Sequence, residues 1–372
     1  MVKVCHILDS LNIGGLEKIA IDIILNLKGY DHQVWCLKEK GELAAELVAK
    51  GIPVREFNFT GGLSIVSISR LVKELKKEHF TAIHCHGLFP SIWARVAAIL
   101  AGIPVRIVHC HSTYYGLWFK ERIKLRWLSY YTTAIITVSE AVKKSLTEYI
   151  GISASRITVV YNGLEDIAVQ KIDNRDKVRV MLGLAPDDFV ICCLGRLVQM
   201  KGHRYLIEAL SEVRKRQVRC KCLIIGDGPE KQKIEQQVKA MGLDDAVKLL
   251  GARRDIPELL SAVDLAVVPS ILKEGLPLVL VEASVMSLPL VATDIGGSPE
   301  IVKDGLNGFI VEPKDAQALA EKIIYLIEHP GVCREMGQQA RGIWQAKFKK
   351  TDMLGKIEKI YSSALNNFAS KV

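Results

Sequence analysis

Two doubly wound α/β domains in series are the architecture this sequence predicts. Three observations carry the prediction. Short β-rich apolar runs alternate with longer runs of helical period almost throughout the chain. The alternation breaks once, after Asn162-Gly163, and then starts again. The length, 372 residues, exceeds what one ordinary core organises and favours two domains of about 100–200 residues.

In the first half the predicted strands are "VKVCHIL", "HQVWCL", "PVREFNF", "TAIHCHG", "VRIVHCH", "AIITVS" and "ITVVYNG". Between them lie the helical runs "LEKIAIDIILNLKG", "GELAAELVAKG", "SIVSISRLVKELKKEH", "PSIWARVAAILAG" and "EAVKKSLTEYIG". Several of these end at glycine, which closes a helix in a left-handed cap without a Cβ penalty. Strands separated by helical crossovers pair in parallel. Residues 164–178, "LEDIAVQKIDNRDKV", are polar and aperiodic and read as a linker. The alternation resumes with "FVICCLG", "CKCLIIGDG", "AVKLLG", "LAVVPS", "PLVAT" and "GFIVEP", and beyond 315 the chain reads as wholly helical. The domains are therefore expected at 1–165 and 166–349. A last helix at about 350–372 has no strand left to pair and is expected to pack back on the first domain. In open parallel sheets ligands collect beyond the carboxyl ends of the strands, so two such domains facing each other would enclose one central cleft.

Composition narrows the function classes. Hydrophobic residues make up 49% and charged residues 24%, the balance of a soluble globular protein. The net charge of +9 favours polyanionic partners: nucleotide phosphates, an anionic membrane face or nucleic acid. No nucleic-acid module is recognisable, and the basic residues are spread over helix faces, so nucleic acid is not expected. The nine cysteines form no CxxC pair and several sit in apolar strand runs, where they read as reduced, packed thiols. The N-terminus lacks the apolar stretch of a signal peptide, and the most apolar long segment, 276–293, is interrupted by Glu282 and two prolines. A cytoplasmic protein without a membrane span is the expectation.

Four junctions in the second half carry chemistry. In "GRLVQMKG", 195–202, a strand empties through a glycine turn towards a helix start, whose first N–H groups lack intrahelical partners. Arg196 offers a planar fork for phosphate oxygens and Lys201 a mobile point charge. Together they describe a diphosphate clamp, the reading favoured on this stretch alone over a solvated arginine and lysine at a loop. In "EGLPLVLVEASVM", 274–286, Gly275 suits the loop, Pro277 the first helical turn, and Glu282 lies on an otherwise apolar helix. A carboxylate buried there needs fixed donors, and ribose hydroxyls or a structural ion pair would serve. "TDIGGSPE", 293–300, has a double glycine that permits close backbone approach. "IIGDGPE", 224–230, contains a lone GxG at Gly226, which is weak evidence for a dinucleotide site because the third glycine is missing.

These pieces, in this order and spacing, resemble the retaining family-4 glycosyltransferases of GT-B architecture, with two Rossmann-like domains. The resemblance runs along nearly the whole chain. It is sharpest at Gly195-Arg196…Lys201-Gly202, at "PSILKEGLPLVLVEA" with seven residues between Glu274 and Glu282, and at "DIGGSPEIV" and "DGLNGFIV". It implies that Arg196 and Lys201 hold a donor diphosphate, that Glu282 takes the ribose, and that Glu274, with Gly275, Leu276, Pro277 and Leu278, lies beside the donor sugar. Gly226 and Arg253 would line the nucleotide side. In the first domain "NIGGLEK" resembles the family's glycine loop, which sets Gly14 and Gly15 against phosphate and sugar. "VRIVHCHS" resembles the strand whose final histidine faces the anomeric centre, which favours His111 over His109. His84 and His86 would support the acceptor side or pack. One departure, "SILKEG" with Leu272 and Lys273, puts the sugar in doubt rather than the phosphate site.

The implied activity moves a sugar from a nucleotide-diphosphate sugar, UDP- or GDP-linked, to a hydroxyl of a glycan or lipid-linked acceptor in cell-surface polysaccharide or glycolipid synthesis. No cofactor and, lacking a DxD-like pair, no metal is expected at the diphosphate. A nucleotide-sugar epimerase of the same fold is the nearest alternative. A dinucleotide-dependent oxidoreductase would need a complete GxGxxG, which "LDSLNIGG" does not supply. Residues 117–131, "LWFKERIKLRWLSYY", set Lys120, Arg122, Lys124 and Arg126 around a stripe of Phe119, Ile123 and Trp127. That face (118–131) suits either an anionic membrane surface or a core stripe with a solvated flank.

Overall fold

A computed structural model of the chain describes residues 1–59, 64–167, 175–216 and 219–370. It divides the chain into two compact units, Met1–Asn162 with Lys350–Val372, and Gly163–Lys349.

The first unit is built on seven strands: β1 (Val2–Leu8), β2 (Tyr30–Cys36), β3 (Val54–Glu56), β4 (Ala82–His86), β5 (Val105–Cys110), β6 (Ala134–Thr137) and β7 (Ile157–Val159). Their order in the sheet is β3-β2-β1-β4-β5-β6-β7, and each neighbouring pair is parallel. All seven runs read as strands from the sequence are present. "PVREFNF" shortens because Asn58 turns left-handed (φ 56°) and ends the extended chain. Every residue of β4 is buried, as a central parallel strand covered on both faces requires. Helix ends follow local chemistry: Ser64 accepts from the Ser67 amide at 3.2 Å, and Gly102 closes its helix in the left-handed region. The helix Lys350–Ala369 belongs to this unit: Tyr361 is fully buried, its ring 5.3 Å from Tyr30, and Lys350 pairs with Asp22 at 2.6 Å.

The second unit carries β8 (Phe189–Leu194), β9 (Cys220–Ile225), β10 (Val247–Gly251), β11 (Leu265–Val268), β12 (Leu290–Thr293) and β13 (Gly308–Val311) in the order β10-β9-β8-β11-β12-β13, again all parallel. Its core joins Ile191, Cys193, Ile224 and Val267 of the sheet to Leu206, Leu210 and Ile323 of the covering helices. The sequence-read linker is in part structured. Residues 168–174 lie outside the described residues, but Arg175–Met181 is helical. Arg175 and Arg179, one turn apart, converge on Asp264 at 2.5 and 2.6 Å, which anchors a polar stretch that shows no apolar period. All nine cysteines are free. Among the described residues no helix is long and apolar enough to cross a membrane.

Candidate active site

In the second unit the loops leaving β8, β9, β11 and β12 are tied to one another at the carboxyl edge of the sheet. The Gly195 amide donates to the Ile225 carbonyl at 2.9 Å, and the Leu197 amide to the Asp227 carbonyl at 2.8 Å. The Ile271 amide donates to Met200 at 2.8 Å, and Gly297 to Gly275 at 3.0 Å. Glycines make these approaches possible. A Cβ at Gly226 would fall 1.9 Å from the Gly195 carbonyl oxygen, and one at Gly202 2.0 Å from that of Pro269. A Cβ at Gly296 would fall 1.9 Å from the Glu274 carbonyl oxygen. The double glycine of "TDIGGSPE" therefore seats the 274–275 backbone, and the GxG at 226–228 seats the loop after β8.

On this platform Lys201 Nζ lies 2.5 Å from Glu274 Oε1, and Ser270 Oγ donates to the same oxygen at 2.5 Å. Glu274 is only 6% exposed, so its charge is held by these two donors in a poorly solvated setting. Lys273, just before it, adopts the left-handed region (φ 56°) and is exposed, an uncommon conformation for a long side chain. Thr293 Oγ1 donates to the Ser270 carbonyl and fixes the turn that carries the Ser270 hydroxyl. Arg196, by contrast, is exposed, and its guanidinium has no partner among the described residues. The helix Leu278–Val285 opens at Pro277 with no side-chain cap, leaving its first amides without intrahelical acceptors. Gly275, Leu276, Pro277 and Leu278 are buried around that opening. Glu282, 9% exposed, lies on the second turn; the Cys192 thiol of β8 is pushed upward by burial first, then by Cys193 and Glu282.

The exit of β10 joins the same edge, its Gly251 carbonyl accepting from the Gly226 amide at 2.8 Å. Arg253 is bound to Asp255 by two bonds of 2.8 and 2.5 Å on an exposed turn. Gly14, Gly15 and His111 belong to the first unit. Gly14 precedes the helix Gly15–Asn26, and a Cβ there would fall 2.2 Å from a Glu17 carboxylate oxygen.

His111 follows β5 and is part of a larger assembly. His6 on β1, His84 and His86 on β4, and His109 on β5 are essentially without exposure, and His32 on β2 is 4% exposed. Burial holds His6, His84, His86 and His109 well below the usual imidazole range and brings His111 down to about 3. His84 Nδ1 meets Tyr361 Oη at 2.7 Å. Both ring nitrogens of His109 are buried without a partner among the described residues. Sequence reasoning weighed His84, His86, His109 and His111 singly and missed His6, His32 and Tyr361. The two HxH pairs held the clue, because residues two apart on a strand share a face and adjacent parallel strands stack those faces. Ser270, four residues before Glu274, carried no such signal.

Two family models match: "Glycosyltransferase Family 4" over residues 13–166 and "Glycosyl transferases group 1" over 174–343. The chain is 28% identical to the Escherichia coli UDP-Gal:alpha-D-GlcNAc-diphosphoundecaprenol alpha-1,3-galactosyltransferase over 98% of each chain. It is 26% identical to the Bacillus anthracis N-acetyl-alpha-D-glucosaminyl L-malate synthase over 80% of this chain and 79% of that one. Among solved structures, Anabaena Alr3699/HepE in complex with UDP and glucose matches with a TM-score of 0.87 at 26% identity, covering 98% of this chain and 100% of that one. With both units of Rossmann-like topology and both halves matched, the chain belongs to the family 4 glycosyltransferases of GT-B type.

Proposed function

We propose that this enzyme transfers a sugar from a nucleotide-diphosphate donor, with retention at C1, to a hydroxyl of a glycan or lipid-linked acceptor in cell-surface polysaccharide or glycolipid synthesis. The observation that carries the reading is the Lys201–Glu274 pair on a platform of uncapped amides, with the unpartnered Arg196 on the same loop. As the glycosidic bond loosens, negative charge grows on the leaving diphosphate. Lys201, held by Glu274, and the first amides of the helix Leu278–Val285 meet it already oriented, and the exposed Arg196 on the same loop joins them. Glu282 takes the ribose, and Glu274, its carboxylate steered by Ser270, the sugar hydroxyls. The first unit contributes Gly14 and Gly15 to phosphate and sugar and His111 to the sugar.

Retention without a protein nucleophile has the acceptor hydroxyl attack on the face the diphosphate leaves, its proton passing to the departing phosphate. Arg196 and Lys201 then supply the stabilisation a metal would give elsewhere, and the donor is itself the activated substrate, so no cofactor is required. UDP is favoured over GDP because the E. coli relative is named for UDP-Gal and the Anabaena structure holds UDP. Thermal-shift screening of nucleotide diphosphates followed by nucleotide release from UDP-sugars, before and after chelation, tests the reading. NMR assignment of the product anomer tests retention. Epimerised donor in the absence of acceptor, or turnover surviving in both Arg196→Ala and Lys201→Ala, would refute it.

The acceptor is proposed to be reached at the inner face of a membrane. In the helix Phe119–Tyr130 the stripe faces outward: Phe119 is 69%, Ile123 52% and Trp127 49% exposed, with Trp118 before them at 83%. The buried apolar residues of this helix are instead Leu125 and Leu128, which supports the interfacial reading. Lys120 and Arg126 are exposed beside the aromatic residues, the composition of an interfacial face on anionic lipid. Flotation with liposomes containing anionic lipid should carry the protein, and a Trp118→Ala, Phe119→Ala double variant should stay behind. Equal flotation of the variant, or indifference to lipid charge, would end this part of the reading.

A further inference from the structure

The histidine assembly of the first unit is not explained by the proposed transfer, which uses one of its six members. Four of the six form a directional chain. His32 Nε2 lies 3.0 Å from the Leu27 carbonyl oxygen, and His32 Nδ1 lies 3.0 Å from His6 Nε2. His6 Nδ1 lies 3.3 Å from His86 Nε2, and His86 Nδ1 lies 3.4 Å from His111 Nε2. A carbonyl oxygen only accepts, so His32 carries its proton on Nε2, and a neutral ring then has a lone pair on Nδ1. The same step repeats down the chain. His6 donates through Nε2 to His32, and His86 donates through Nε2 to His6. The Leu27 carbonyl thus leaves His86 with a lone pair on Nδ1, on the side where His109 and His111 lie.

Metal-ligating histidines share this arrangement, with one nitrogen on the metal and the other N–H held by an outer acceptor that fixes tautomer and ring plane. His86, His109 and His111 each offer a ring nitrogen within 4.8 Å of the others. The 3.4 Å between His86 Nδ1 and His111 Nε2 matches the roughly 3.3–3.4 Å edge expected of a tetrahedron with metal–nitrogen bonds of about 2.0–2.1 Å. His109 contributes the strongest independent observation, since two buried ring nitrogens without partners are a cost that one coordinate bond would offset. The His111 proton must move from Nε2 to Nδ1 for coordination, and Nδ1 has no partner to lose.

We propose that His86, His109 and His111 form a binding site for one divalent transition-metal ion with a preference for imidazole nitrogen, of the Zn²⁺ class. Three neutral nitrogens leave the fourth tetrahedral position to water, and His111, the half-buried member, gives the ion its way in. A second trio, His6, His84 and His86, also gathers three nitrogens. Among the described residues it holds one buried nitrogen without a partner, His84 Nε2, whereas the first trio holds three, both of His109 and Nδ1 of His111, so the first trio is the one assigned. The inference concerns metal binding by the first unit and does not rest on the glycosyl-transfer reading.

The test uses untagged, chelator-stripped protein titrated with Co²⁺, followed by displacement with Zn²⁺ against a chromophoric chelator. The expected result is one equivalent of Co²⁺ with the intense visible d–d bands of tetrahedral coordination, bleached by one equivalent of Zn²⁺. His111→Ala, whose side chain is half-buried and whose loss the fold should tolerate, should weaken Zn²⁺ binding at least about 100-fold, beyond the 10–100-fold usual for outer-shell losses. His109→Leu should do the same, and His329→Ala, in the second unit, should change nothing. The proposal is overturned if wild-type protein shows only weak octahedral Co²⁺ absorption, or if folded His111→Ala binds as wild type. It is equally overturned if His84→Gln abolishes binding while His109→Leu does not, which would assign the ion to the other trio.

Discussion

Acid should unfold the first unit at a pH where the second is hardly affected. Five histidines there, His6, His84, His86, His109 and His111, have folded pKa values far below their ordinary value of 6.5, all driven chiefly by burial. Between the folded and the ordinary value the unfolded chain binds protons that the native state refuses, so stability rises with pH in that window. The neutral-histidine contribution is fully present above 6.5 and is lost as pH falls below it. At pH 5.5 each unfolded histidine gains about 1.4 kcal/mol from protonation, and five together about 7 kcal/mol. A domain is stable by only about 5–15 kcal/mol, so the loss is comparable with the whole. The second unit has one such group, His203, lowered to about 4 by burial and Lys201, and should lose only about 1.4 kcal/mol.

Urea unfolding at pH 7.5 and 5.5, read by pulse proteolysis and mass spectrometry so that the units are scored separately, measures this directly. At about 2 kcal/mol per molar urea the midpoint of the first unit should fall by about 3.5 M, or the unit should be unfolded before urea is added. His109→Leu removes two unpartnered nitrogens and one of the five titrations, so the pH dependence should shrink by about 1.4 kcal/mol per unit. A first unit that loses less than about 1 kcal/mol over this range would refute the reasoning, because the imidazoles would then be charged or solvated in the native state.

Arg196→Ala and Lys201→Ala should both reduce turnover, each by about 10²–10³ if it removes one preorganised donor. They should differ in stability, since Arg196 is exposed and unpartnered while Lys201 holds the buried Glu274. Thermal melts should leave Arg196→Ala within about 0.5 kcal/mol of wild type and cost Lys201→Ala about 3 kcal/mol; equal melting points would show that the pair carries no buried charge. Gly226→Ala should lower turnover through the loop after β8, because its φ of 146° and a Cβ 1.9 Å from the Gly195 carbonyl force a shift. A strain of about 1–3 kcal/mol should appear in the same melts, and unchanged turnover and stability would mean that this loop contact is dispensable. Ser270→Ala should weaken donor binding more than it lowers kcat if the hydroxyl only steers Glu274, and a fall in kcat alone would give Ser270 a direct part in the reaction.

What could be read from the sequence was what has a period. The thirteen strands of the described residues were read from β-rich runs, and parallel pairing from the helices between them, most clearly where burial on both faces leaves a continuous hydrophobic signal, as in β4 and β11. The site was legible where chemistry is local: Arg196 and Lys201 share one loop, and Glu274 and Glu282 flank one helix start. It was illegible where it depends on contacts across elements. Arg175 and Arg179 looked like linker because their partner, Asp264, lies far along the chain.

The glycines show the same division from the other side. At 226 and 296 the sequence says only that a close approach occurs; the structure gives the approaching group as the backbone at 195 and at 274. That changes what these glycines do. Glycines that admit a ligand directly could be replaced at a cost to binding alone. Glycines that let the loops after β8, β9, β11 and β12 touch instead set the spacing at which Lys201 meets Glu274, so a methyl group at either position should perturb the ion pair without touching any of its atoms.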